Sequence, residues 1–281
     1  IGEFMSIIAV DLDGTLLNDK KKISSEDRET MKKICKNNNI IITSGRSHSD
    51  INKILLENEI EKIVLPLVIC RNGQEIYDIN SGNILSEEYM QFETIKKVIK
   101  ILEENQVYWY CLSAGIVYCK ELKFNCLNYQ MNGKFTMNLI KDINELELLN
   151  IEKFVVNEIS NIKMIKIKKI VEKEYDVEFM KYDLNKKYKK LQFVQNIIMK
   201  KGVNKYTALI KLKDSLNLSN SIISFGDGFN DYELIKQATF GICMKNGNEK
   251  IKNIAKFVTK SNNDNGFSFA INYLLKNDLL D

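Results

Sequence analysis

Two aspartates only two residues apart, Asp11 and Asp13, leave the end of the apolar run Ile7-Ile8-Ala9-Val10. Four consecutive apolar residues read as a strand covered on both faces, the kind found inside a parallel sheet. The chain therefore carries a pair of acids to the end of its most buried layer. Neighbouring buried acids are tolerated only when something compensates them, most simply a hard cation such as Mg2+ with oxygen ligands. Gly14 lets the chain turn sharply and Thr15 can hold the turn with its hydroxyl. For this segment alone, a strand-to-turn junction with solvated aspartates is the alternative.

Length and composition limit the remaining choices. With 281 residues the chain is long enough for one large or two medium domains. Charge is abundant but nearly balanced, at a net +4, which gives no case for nucleic acid or a membrane as partner. No stretch approaches ~20 consecutive apolar residues, and no charged-then-apolar leader is present, so a cytoplasmic chain is expected. Ile1-Gly2-Glu3-Phe4 reads as a leftover of cloning, with Met5 as the expected native start. Six cysteines (Cys35, Cys70, Cys111, Cys119, Cys126, Cys243) contain no C-x-x-C pair and fit reduced, buried thiols better than a zinc site or a disulfide framework. The single histidine, His48, excludes mechanisms needing two and reads as a loop or helix-start residue. Acid and base chemistry is thereby left to carboxylates.

Along the chain, strands and helices alternate. Ser24-Ser25-Glu26-Asp27 marks a helix start, and Ile40-Ile41-Ile42-Thr43 is a short apolar strand running into Ser44-Gly45-Arg46-Ser47. A second helix is expected from about Ser49 to Glu59, followed by a strand at Val68-Ile69-Cys70 and a tight hairpin at Asn72-Gly73. From about Asn83 to Lys190 helices alternate instead with aromatic, β-branched runs such as Val107 to Cys119, which suggests an inserted α+β module. Around Leu191 the first pattern is expected to resume, with a strand at Ile222 to Phe225, a helix at Asp231 to Gln237 and a strand at Phe240 to Ile242. The fold class expected is α/β, a Rossmann-like parallel sheet core interrupted by an α+β insert.

Ligands of an open parallel sheet bind at the carboxyl ends of its strands. Four groups are placed there: Asp11 with Asp13, Ser44 with Gly45 and Arg46, the loop Gly226-Asp227-Gly228-Phe229-Asn230-Asp231, and Lys205 ahead of a helical stretch. Taken alone, Ser44 reads equally as a helix cap, and Lys205 as a solvated lysine. Together the D-x-D-G-T and G-D-x-x-N-D stretches closely resemble the haloacid dehalogenase superfamily, in particular its Cof-type phosphatases with a large C2-type cap. The resemblance implies a hydrolase core over residues 5–82 and 191–281 and a cap over residues 83–190.

By that resemblance Asp11 is the nucleophile that forms a covalent aspartyl-phosphate, and Asp13 is the general acid and then base. Mg2+ would be held by Asp11, the backbone carbonyl of Asp13, Asp227 and Asp231, with Asn230 close by. Ser44, Gly45, Lys205 and Asn230 would bind the transferring phosphate, Ser44 through its hydroxyl and backbone N–H. Tyr206 stands where glycine is common in the family and could narrow access to the site. The implied activity is hydrolysis of small phosphorylated metabolites such as sugar phosphates by a monomer or homodimer. A phosphomutase of the same superfamily and a phosphometabolite-binding protein without turnover are the alternatives. The insert is long enough to act as a lid, and Tyr108-Trp109-Tyr110 and Lys123-Phe124-Asn125 are candidates to meet a leaving group or, more simply, to be core strands.

Overall fold

The computed structural model describes residues 6–122, 136–156, 161–183, 194–218 and 221–280; Lys123-Phe124-Asn125, Cys126, Lys190, Leu191 and residues 1–5 lie outside that description. The chain opens with β1 (Ile7–Asp11), α1 (Ser25–Ile34), β2 (Asn39–Thr43), α2 (His48–Glu57), β3 (Leu67–Cys70), β4 (Glu75–Asp78) and β5 (Asn83–Glu87). It continues with α3 (Phe92–Glu104), β6 (Trp109–Ser113), β7 (Ile116–Cys119), β8 (Thr136–Leu139), β9 (Lys153–Val156), α4 (Asn161–Glu174), β10 (Val177–Asp183) and β11 (Val194–Lys200). Last come α5 (Lys205–Ser215), β12 (Ile222–Gly226), α6 (Tyr232–Gln237), β13 (Phe240–Cys243), α7 (Glu249–Lys252), β14 (Phe257–Val258) and α8 (Gly266–Lys276). These elements form two compact units, one from the chain up to Glu87 and from Val203 onward, the other Glu88–Gly202.

The first unit is an eight-stranded sheet in the order β14-β13-β12-β1-β2-β3-β4-β5. Its strands are parallel from β14 through β3, and the hairpin strands β4 and β5 run antiparallel at one edge. β1 lies in the middle, and its apolar run serves both faces. Ile8 and Val10 pack with Met31 of α1, Leu55 of α2 and Phe267 and Ile271 of α8, whereas Ile7 and Ala9 pack with Leu209 and Leu212 of α5 and Leu234 of α6. Each fully buried aliphatic side chain contributes about 1.5–3 kcal/mol relative to an exposed one, which explains why the central strands carry almost nothing polar before their carboxyl ends. Local signals act where expected: the Ser24 hydroxyl accepts the Asp27 N–H at 3.0 Å and starts α1.

In the second unit the sheet order is β10-β11-β9-β6-β7-β8, antiparallel except where β7 and β8 run side by side. α3 and α4 cover one face, burying Val98, Leu102, Ile167 and Val171 against Trp109 and Phe154, whose rings meet edge-on at 5.6 Å. Trp109 and Tyr110 are buried, so this aromatic run is core strand. The edges of the insert differ from those expected at 83 and 190. β5 pairs with β4 in the first sheet, and β11 pairs with β10 and β9 in the second, so the division falls at Glu88 and Gly202. The apolar run Ile197-Ile198-Met199 suits either sheet; long-range pairing chose between them.

Candidate active site

β1 delivers Asp11 at its last position, and the turn that follows is made by Gly14 at φ +80°. A Cβ at Gly14 would stand 2.6 Å from Asp227 Oδ2, so glycine is required both for the conformation and for the approach of Asp227. The Thr15 hydroxyl then donates to Asp227 Oδ1 at 3.2 Å, tying the first strand's turn to the loop after β12. Lys205 arrives as the first residue of α5, whose cap Asn204 accepts the N–H groups of Tyr206 and Thr207. Gly73, at φ +100°, lets the β3–β4 turn press on that helix start; a Cβ there would meet the Asn204 carbonyl oxygen at 2.2 Å.

The side chain of Lys205 is wholly buried and donates to Asp11 Oδ1 at 2.5 Å and to Asp231 Oδ1 at 2.6 Å. The other oxygen of Asp231 accepts the backbone N–H groups of Asp227 and Gly228 at 3.0 and 2.9 Å. Carboxylate oxygens of Asp11, Asp227 and Asp231 lie within 4.8 Å of one another. One ammonium cannot offset three carboxylates. Burial, only partly countered by Lys205 and reinforced by Asp231 and Asp227, pushes Asp11 well above the ordinary carboxylate range. Burial and repulsion from Asp231 push Asp227 up to about 7. Lys205 is also raised: burial disfavours its charge, but the attraction of Asp11 and Asp231 prevails. A largely buried cluster of carboxylate oxygens with surplus negative charge fits a hard divalent cation.

Asp13 stands apart from this cluster. Its carboxylate accepts Arg46 Nε at 2.5 Å, Arg46 Nη2 at 2.8 Å and Lys21 Nζ at 2.6 Å. Burial alone would raise it, yet the hydrogen bonds and charges of Arg46 and Lys21 outweigh that and hold it at about 2. The Asp13 side chain is thus no member of the acidic cluster; its partners are cations.

Ser44 is buried at the end of β2, but the helix cap of α2 is Ser47. Its N–H donates to the Ile69 carbonyl at 2.8 Å, so that group belongs to the sheet, against the expectation that it would face phosphate. Its hydroxyl oxygen accepts the Arg46 N–H at 3.2 Å. Asn230 Nδ2 donates to Asn72 Oδ1 at 2.9 Å, and that same Asn72 oxygen is 2.9 Å from where a Gly45 Cβ would sit. Asn72, at φ +58°, therefore joins the Ser44-Gly45 turn to the Asp227 loop, although from sequence it reads only as a hairpin residue. Arg46 is expected at this strand end with Ser44 and Gly45, but its pairing with Asp13 carries no sequence signal, and Lys21 offers none beyond charge. Tyr206 packs beside Leu209 and Ala208 in the apolar layer under the sheet. His48 opens α2, with Nδ1 3.3 Å from Glu75 Oε2 and its ring stacked on Tyr77 at 4.4 Å. Among the described residues no helix is long and apolar enough to cross a membrane.

The family model for haloacid dehalogenase-like hydrolases matches residues 8–271. Two Bacillus subtilis proteins named 5-amino-6-(5-phospho-D-ribitylamino)uracil phosphatase align along nearly their whole length. YcsE is 23% identical over 96% of this chain and 95% of its own. YwtE is 26% identical over 96% of this chain and 98% of its own. Among solved structures, a phosphatase of the haloalkanoate enzyme superfamily from Bacteroides thetaiotaomicron superposes with a TM-score of 0.78 at 20% identity, over 99% of this chain and 97% of that one. The parallel sheet with its carboxylates at the strand ends, and a family match spanning nearly the whole chain, give one conclusion: this protein belongs to the haloacid dehalogenase-like hydrolases.

Proposed function

We propose that this chain is a Mg2+-dependent phosphatase of small phosphorylated metabolites that works through a covalent phosphoryl group on Asp11. The observation carrying this reading is the buried Lys205 ammonium held between Asp11 and Asp231, beside Asp227. Such a site pairs a nucleophilic carboxylate with fixed positive charge and with oxygen ligands for a cation, which are the needs of phosphoryl transfer. Relatives named as phosphatases support the reaction class.

In this proposal Asp11 and Asp227 hold Mg2+, with the Asp13 carbonyl, and Asp231 steers Lys205 and the loop. When bound, the cation offsets repulsion between the incoming phosphate and the carboxylates. A carboxylate oxygen of Asp11 attacks phosphorus as the bond to the leaving oxygen breaks, and Asp13 is assigned the proton transfer to that oxygen, for which its carboxyl must first take up a proton against the pull of Arg46 and Lys21. Asp13 then takes a proton from water as the water attacks phosphorus, releasing inorganic phosphate and restoring Asp11. Two of the three Lys205 N–H bonds go to Asp11 and Asp231, and the third is assigned to a phosphoryl oxygen. The Ser44 hydroxyl, Gly45 and Asn230 are assigned to the other oxygens.

Hydrolysis of p-nitrophenyl phosphate and of an alkyl phosphate in Mg2+ tests the reading. Asp11→Asn is expected to abolish both while the protein stays folded. Asp13→Asn should spare the aryl ester more, because p-nitrophenolate leaves without a proton. Chelation of Mg2+ should stop both reactions. Wild-type turnover in Asp11→Asn would sink the mechanism.

A further inference from the structure

The cations on Asp13 exceed what that carboxylate needs. Arg46 alone supplies a two-pronged fork to both oxygens and one full positive charge. Lys21 adds a second charge on Oδ1, which already accepts Arg46 Nη2. This lysine is carried on a built loop. Its backbone sits at φ +60°, a conformation that costs a residue with a Cβ about 1–2 kcal/mol. The turn is held by the Lys21 N–H on the Asn18 carbonyl at 2.9 Å and the Asn18 N–H on the Lys22 carbonyl at 3.0 Å. Asn18 Oδ1 further accepts the N–H groups of Lys20 and Lys22 at 2.9 and 3.1 Å. The loop is anchored to a distant segment, where the Asp19 N–H donates to Asn263 Oδ1 at 3.0 Å and Asn262 Nδ2 donates to the Leu17 carbonyl at 2.9 Å.

The Lys21 side chain itself is 60% exposed. An ion pair this open to water is worth only about 0.2–1 kcal/mol, so its ammonium can change partner at little cost. Arg46 would still satisfy Asp13 when it did. We propose that Lys21 is a specificity-determining residue, whose ammonium takes an oxyanion on the leaving group of the phosphomonoester, close to the scissile oxygen. This rests on the phosphatase reading, in which Asp13 addresses the leaving oxygen. With Nζ 2.6 Å from Asp13 Oδ1, an anionic group a few bonds from that oxygen comes within its reach. The favoured substrate class is a phosphomonoester whose leaving group bears a carboxylate or a second phosphate.

Two substrate pairs separate these sources of charge: 2-phosphoglycerate against glycerol 2-phosphate for a carboxylate, and ethane-1,2-diyl bisphosphate against 2-hydroxyethyl phosphate for a second phosphate. Wild-type kcat/KM should favour the anionic member of at least one pair. Lys21→Gln should lower kcat/KM for that member about threefold more than for its neutral counterpart, and Lys21→Arg should keep the preference. Equal losses within both pairs, or no loss in either, would overturn the assignment of Lys21 while leaving a phosphatase. Absence of wild-type turnover on all four in Mg2+ would instead overturn the phosphatase reading and this proposal with it. Thermal melts of the two variants that match wild type confirm that the comparison is between folded proteins.

Discussion

Replacing Lys205 by methionine keeps an unbranched side chain one atom shorter and removes its charge from between Asp11 and Asp231, at 2.5 and 2.6 Å. Removing one partner of a buried ion pair typically costs about 3–5 kcal/mol, because the other is left uncompensated. Here two carboxylates lose the same ammonium and Asp227 lies close by. Set against a total stability of about 5–15 kcal/mol, the loss is about a fifth or more. At about 2–4 °C per kcal/mol for a unit of this size, the transition of the first unit should fall by roughly 6–20 °C in EDTA near pH 8. The pH dependence has a definite sign. Asp11 and Asp227 are already raised, and without Lys205 they rise further. A raised folded-state pKa gives stability that is held below the ordinary carboxylate range and lost as pH climbs through the folded value. The deficit of Lys205→Met should therefore be small near pH 4 and grow toward pH 8. Mg2+ at tenfold over its dissociation constant returns about 1.4 kcal/mol, and more to the variant if its acids bind the ion more tightly. Urea and thermal melts of both proteins from pH 4 to 8, in EDTA and in Mg2+, measure all three effects. Equal midpoints at pH 8 in EDTA, or a deficit that does not change with pH, would refute the reasoning.

Gly14→Ala should cost about 1–3 kcal/mol, since it forces φ +80° on a residue with a Cβ and drives that Cβ against Asp227; a melt and a phosphatase assay should both fall. Asp27 is buried, and burial raises its carboxyl even though the N–H and hydroxyl of Ser268 donate to Oδ1 at 2.8 and 2.7 Å. The stability it contributes is present at low pH and lost as pH rises above the ordinary range, so Asp27→Asn, which keeps the acceptor without the charge, should gain on wild type toward neutral pH in urea melts. A variant that loses ground there would contradict this. Phe154→Ala in the second unit removes a wholly buried ring set edge-on to Trp109 and should lower that unit's stability by about 3–5 kcal/mol, read from near-ultraviolet unfolding of the tryptophan.

How much was legible in the sequence follows from which forces are local. Asp11, Asp227, Asp231 and Lys205 could be placed near one another because each sits just beyond an apolar strand or at a helix start, and parallel strands bring such positions to one edge. Ser44 could be named but not resolved, because a serine before a helix serves equally as cap or ligand; α2 is in fact capped by Ser47. Asn72, Arg46 and Lys21 act through partners 158, 33 and 8 residues away in sequence, and nothing in their own neighbourhoods reveals it. Lys21 in particular is one of 41 lysines and arginines, most of which read as solvated charge.

By itself the sequence determined the alternation of buried strands and amphipathic helices and the acids at the strand ends, because periodicity and side-chain burial are encoded within a few residues. Only the tertiary structure decided that β11 joins the second sheet, that Lys205 is wholly buried between two carboxylates, and that Asp13 faces Arg46 and Lys21. Those outcomes depend on which distant segments pack together, and on how a few charges share one low-dielectric space once water has been expelled from it.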